Sequence, residues 1–150
     1  MLPNTYIPTL TPQLIRTYLP LLKIGQNFTF ESKSCDNYNC VSWAINKDDE
    51  NIFLYLNDDT VDQRLESYVN YYKQIGFEES DNTNVEPGIS KIALYAFGDE
   101  FQHVARQLEN GKWASKLGEW EDIEHDTLDV LSNDKFYGHP VIILKRANQV

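Results

Sequence analysis

The segment from Lys91 to Lys116 sets the tightest limit on the fold. Lys91-Ile92-Ala93-Leu94-Tyr95-Ala96-Phe97 is an apolar run of strand length, closed by Gly98-Asp99. His103 to Leu108 then alternates, Asn110-Gly111 supplies a turn whose backbone twist matches that of flanking strands, and Lys112-Trp113-Ala114-Ser115-Lys116 returns. This pattern predicts a β-hairpin. Gly138 to Lys145, with Val141-Ile142-Ile143-Leu144 at its centre, predicts one more buried strand.

The first half reads differently. Thr11-Pro12 resembles an N-cap followed by Pro at the first helical position, and Leu14, Ile15, Tyr18 and Leu22 continue near helical spacing, so a short helix is expected over about 11–19, ended by Pro20. Residues 25–40 are dense in turn formers and predict a long surface segment that leads into Val41, Trp43, Ala44 and Ile45. Between Asp58 and Gly76, Val61, Leu65, Tyr68, Val69, Tyr72 and Ile75 share one helical stripe, with Asp59 or Thr60 as the expected cap and Gly76 as the end. Residues 119–131 are acidic and read as irregular or helical. Helices early and strands late indicate an α+β domain, not a parallel βαβ repeat. A length of 150 residues predicts a single domain, and the sequence shows no internal repeat.

Composition removes several function classes. There are 13 Lys+Arg against 23 Asp+Glu, a formal charge of −10, so the basic footprint needed for nucleic acid or an anionic membrane is missing. No window approaches the roughly 18 apolar residues of a membrane-spanning helix. The first residues lack a basic stretch followed by an apolar run, which makes the cytoplasm the expected location. Two cysteines, Cys35 and Cys40, are too few for a disulfide framework, and the nearest histidine lies 63 positions beyond Cys40, so no metal centre is expected. Glu121 and His125 at i, i+4 are a two-ligand hint with no third partner. Phosphate-cradling GxxxxGK[ST], GxGxxG and the GxSxG elbow are absent from the sequence, and no cofactor is implied.

Cys40 is the one strong nucleophile candidate. It stands where a loop becomes a helix, and a helix start offers unpaired amides and partial positive charge that draw a thiol toward its thiolate. An imidazole would take and return the proton, and His103, near the head of a strand, is the best placed in the sequence.

The order Asn39-Cys40-Val41-Ser42-Trp43-Ala44 opening a helix, then a strand, a Gly-Asp turn, and His103-Val104-Ala105 opening a hairpin with Asn110-Gly111-Lys112 at its tip resembles the papain-like superfamily. Its NlpC-type cysteine peptidase branch is the nearest, and within it an uncharacterised bacterial group. The resemblance spans residues 36–118. It implies a fold with N-terminal helices packed on a small antiparallel sheet formed by the C-terminal half. It also implies a cysteine peptidase or amidase acting on a peptide or amide, with Cys40 as nucleophile and His103 as base. Ser115 falls at the orienting third position, which in that branch usually carries His, Asn, Gln or Asp. Asp122 and His125 are therefore alternative third groups, and Tyr38, Trp43, Trp113 and Lys116 are expected to line the cleft.

Plainer readings stand beside these. Cys40 ahead of an aromatic helix also fits a small buried hydrophobe. Trp43 and Trp113 fit core aromatics, and Arg106 and Lys116 fit ordinary polar-face residues. From a different class comes an immunity-like or regulatory protein on the same fold, whose −10 charge caps a basic partner without catalysis.

Overall fold

A computed structural model of the chain describes residues 2, 6–34, 37–47 and 50–148. Cys35 lies outside the described residues. Among the described residues, three short helices, α1 (Pro12–Tyr18), α2 (Cys40–Trp43) and α3 (Leu65–Gln74), accompany seven strands. These are β1 (Phe28–Ser32), β2 (Glu78–Ser80), β3 (Ile89–Phe97), β4 (Glu100–Gln107), β5 (Trp113–Lys116), β6 (Asp122–His125) and β7 (His139–Ala147). They form one sheet in the order β1-β6-β5-β4-β3-β7-β2, with every neighbouring pair antiparallel.

This corrects the expected papain-like α+β arrangement of N-terminal helices on a small C-terminal sheet. The sheet dominates, and its edge strand β1 comes from the N-terminal part of the chain. Phe28-Thr29-Phe30-Glu31 alternates with period two inside the segment read as a surface loop, and it pairs with β6, which arises within the acidic segment 119–131. The rest of that segment includes a 3-10 helix, Leu128–Leu131.

Both faces of the sheet are covered, which explains why β3 reads as a continuous apolar run. Ala93 and Tyr95 face a first cluster with Leu10, Ile15 and Leu19 from the α1 region, Phe28, Ala105, Trp113, Ile123 and Tyr137. Ile92 and Leu94 face a second cluster with Val41 and Ala44 from α2, Tyr68 and Tyr72 from α3, and Val104.

The helices follow local chemistry. Thr11 caps α1 by accepting from the Leu14 amide, with Pro12 in the first turn. Starting at Leu65, α3 is shorter than the stripe from Asp58 predicts. Asp59 sits at φ 65°, Val61 bridges to Tyr55, and Arg64 precedes the helix without a side-chain cap. Its far end is as expected. The Gly76 amide donates to Lys73 O at 3.1 Å and the Phe77 amide to Tyr72 O at 3.0 Å, a Schellman closure made possible by φ +107° at Gly76.

Candidate active site

Residues Asn39 to Ala44 bring the thiol to the sheet. Asn39 and Ser42 form a reciprocal capping box: Asn39 Oδ1 accepts from the Ser42 amide at 3.2 Å, and the Asn39 amide donates to Ser42 Oγ at 3.1 Å. The Asn39 amide nitrogen side chain also donates to Ile52 O at 2.9 Å, tying the start of α2 to the following loop. Cys40, the first helical residue, is part-buried, and α2 packs on β4 and β5.

Burial pushes the Cys40 thiol up to about 11, although the backbone amides of Val104, Cys40 and Val41 and the charge of Lys116 all favour the thiolate. The expected activation by the helix start is therefore overruled. A four-residue helix aligns few peptide dipoles, and desolvation of the sulfur outweighs them.

His103 enters from β4, one residue before Val104. Its ring is buried, stacked on Tyr137 at 4.4 Å between centroids and edge-on to Tyr95 at 5.3 Å. These aromatic neighbours belong to the first cluster and the apolar neighbours of Cys40 to the second, with β4 contributing to both. Burial raises the Tyr137 phenol above its ordinary range, and a charge on the nearby Cys40 sulfur would add to that shift.

The sheet opens beside His103. β4 and β5 pair at Arg106↔Ala114 and Gln107↔Trp113, and beyond those residues side chains bridge the strands instead. His103 Nε2 lies 2.9 Å from Ser115 Oγ, Ser115 Oγ lies 2.8 Å from His125 Nε2, and His125 Nδ1 donates to Thr127 O at 2.9 Å. His103 Nδ1 is buried and has no hydrogen-bond partner among the described residues, so it is not bonded to Cys40 in this geometry. Burial, aided by the nearby His125, lowers His103 to about 3, and burial lowers His125 to about 4. Both rings are neutral at physiological pH.

The candidate third groups thus separate. Ser115 touches His103 directly, and His125 stands behind Ser115 in the same chain. Asp122 accepts from Tyr38 Oη at 2.6 Å and from Ser32 Oγ, away from His103. Alternation accounts for this, since Ser115 and His125 share one side of their strands and Lys116 and Asp122, paired across β5 and β6, share the other.

Three of the expected cleft residues assemble near Cys40. Tyr38 and Trp43 stack at 5.7 Å, and Lys116 Nζ stands 5.3 Å from the Tyr38 ring. Trp113 instead joins the first core cluster. Neither Lys116 nor Arg106 is an ordinary surface residue. Lys116 is fully buried with its ammonium donating to Trp120 O, and the Arg106 guanidinium covers Trp43 at 3.9 Å.

The helical spacing of Glu121 and His125 does not arise, because His125 ends an extended strand. Glu121 instead anchors the N-terminal segment, accepting from Tyr6 Oη at 2.6 Å, the Thr9 amide at 2.7 Å, Thr9 Oγ at 2.9 Å and the Leu10 amide at 3.0 Å. Among the described residues, no three His, Cys, Asp or Glu side chains converge as metal ligands.

Sequence reasoning missed Tyr137, the amide of Val104 and the carbonyl of Thr127. Backbone groups leave no signature in residue identity, and Tyr137 carries no motif. Among the described residues, no helix is long and apolar enough to cross a membrane. No curated protein and no solved structure matches the chain. The model of one family, the domain of unknown function DUF7689, matches residues 29–145, most of the chain, which therefore belongs to the DUF7689 family.

Proposed function

We propose that the protein is a thiol hydrolase or acyl-transfer enzyme acting on a peptide or amide carbonyl, with Cys40 as nucleophile and His103 as general base. The observation that carries this reading is His103 Nδ1. It is a buried, unbonded ring nitrogen on an imidazole held from its other side by Ser115, next in the chain to the residue whose amide meets the Cys40 sulfur.

The resting pair is neutral, so the reaction begins with general-base catalysis and not with a preformed ion pair. As the sulfur attacks the carbonyl carbon, its proton passes to His103 Nδ1 and the carbonyl π electrons move to oxygen. The amides of Cys40, Val41 and Val104 are the donors available to that oxyanion. Collapse breaks the carbon–nitrogen bond, and the leaving amine takes the proton back from His103. Water or a second amine, deprotonated by His103, then cleaves the thioester and restores the thiol. A reducing compartment keeps Cys40 available, and the cytoplasm is the setting this reading takes.

Alkylation of Cys40 by iodoacetamide, located by peptide mass mapping, tests the pairing. With a thiol near 11 and a base near 3, the expected rate is level between about pH 5 and 9, and His103→Ala abolishes that plateau. A rate that climbs tenfold per pH unit throughout, unchanged by His103→Ala, would show a simple thiol and end the proposal. In that event the acidic binding reading remains, drawing on the −10 charge. Its signature is capture of a basic partner that weakens steeply with salt and is indifferent to Cys40→Ala.

A further inference from the structure

The chain of contacts behind His103 has only one direction in which every hydrogen is used. The Thr127 carbonyl can only accept, so His125 Nδ1, at 2.9 Å, carries a proton. Burial keeps the ring neutral, so His125 Nε2 carries a lone pair. The Ser115 hydroxyl, 2.8 Å from that lone pair, must donate to it. With its hydrogen committed, Ser115 Oγ offers only lone pairs to His103 Nε2 at 2.9 Å, so the His103 proton resides on Nε2. A neutral imidazole has one such proton, and Nδ1 is bare.

The opposite polarity would turn a His125 lone pair toward the Thr127 carbonyl oxygen, two acceptors facing each other. All three side chains are buried, which removes solvent competition along the chain. We propose that His125 is a positioning residue which, through Ser115, fixes His103 in the Nε2-protonated tautomer and leaves Nδ1 free to accept a proton, with the Thr127 carbonyl as the origin of that polarity.

The purpose of this lock rests on the thiol-hydrolase reading, but its measurement does not. Long-range proton–nitrogen correlation spectra of protein labelled with 15N-histidine report which ring nitrogen is protonated. At neutral pH the two histidines should have opposite tautomers, Nε2-protonated for His103 and Nδ1-protonated for His125. Ser115→Ala, a small change in volume, should release His103 into a mixture of tautomers while His125 keeps its Nδ1 proton. The same variant should slow Cys40 alkylation about tenfold or more at neutral pH. His125→Phe, which removes the acceptor but keeps an aromatic ring, should have the same effect on His103.

A His103 proton on Nδ1 in the wild type, or a His103 tautomer unmoved by Ser115→Ala, overturns the proposal. If the tautomers are as expected but Cys40 reacts as a simple thiol indifferent to His103→Ala, the lock stands and the hydrolase reading falls. If Cys40 responds to His103→Ala while the tautomers are wrong, the hydrolase reading stands and the lock falls.

Discussion

Acidification from pH 8 to pH 5 should destabilise this protein through two buried histidines. Both are neutral in the folded state, with His103 lowered to about 3 and His125 to about 4. In the unfolded chain each returns to about 6.5. A folded value below the unfolded one means that stability is complete above about pH 6.5 and is lost as the pH falls, because the unfolded chain then binds protons that the folded protein refuses. At pH 5 each unfolded histidine is almost fully charged and each folded one almost fully neutral. The loss is about 2 kcal/mol per histidine, or about 4 kcal/mol for the pair, with a slope approaching 2.7 kcal/mol per pH unit. That is a large share of the roughly 5–15 kcal/mol of a typical domain. Stopping at pH 5 keeps most carboxylate titration out of the window. Urea unfolding followed by tryptophan fluorescence at constant salt measures the effect, in a His139→Gln background that removes the exposed third histidine. Replacing His125 by Gln should remove about half of the pH dependence. Stability that is flat or rising as the pH falls from 8 to 5 would refute the argument that these rings are buried uncharged.

Other perturbations test the fold around the site. Glu121→Gln converts a buried acceptor of four hydrogen bonds into a group that faces some of those donors with its own N–H. Burial works against the Glu121 charge and the hydrogen bonds outweigh it, holding its carboxyl below the usual range, so the variant should lose about 2 kcal/mol or more and melt about 4–8 °C lower by calorimetry. Gly138→Ala should cost about 2 kcal/mol or more, since φ is +72° and a Cβ there would collide with the Ala96 carbonyl. Gly88→Ala is the control. Its φ is +77° but the space around it is open, so only the backbone penalty of about 1 kcal/mol should appear in the same urea titration.

Elements governed by short-range chemistry were legible in the residues themselves. Thr11-Pro12 starts a helix because a hydroxyl can cap the Leu14 amide and Pro needs no donor partner there. Asn110-Gly111 turns a hairpin because Gly accepts φ +87°. Gly76 ends α3 for the same reason, and Cys40 begins a helix behind Asn39. β1 and β6 were not legible. A five-residue and a four-residue strand carry little periodicity of their own and are fixed by pairing with each other, about ninety residues apart in sequence.

The candidate site divides along the same line. Residue type singled out a thiol at a helix start and an imidazole on a hairpin, while the family resemblance put Ser115 at the third position with Asp122 and His125 as alternatives. Tertiary structure alone ranked them, because strand alternation turns Ser115 and His125 to one side of the sheet and Asp122 to the other. Burial decided the charges as well. Proximity to amides favours a Cys40 thiolate, but the free energy of removing a charge from water depends on everything packed around the sulfur, and that exists only once the chain has folded.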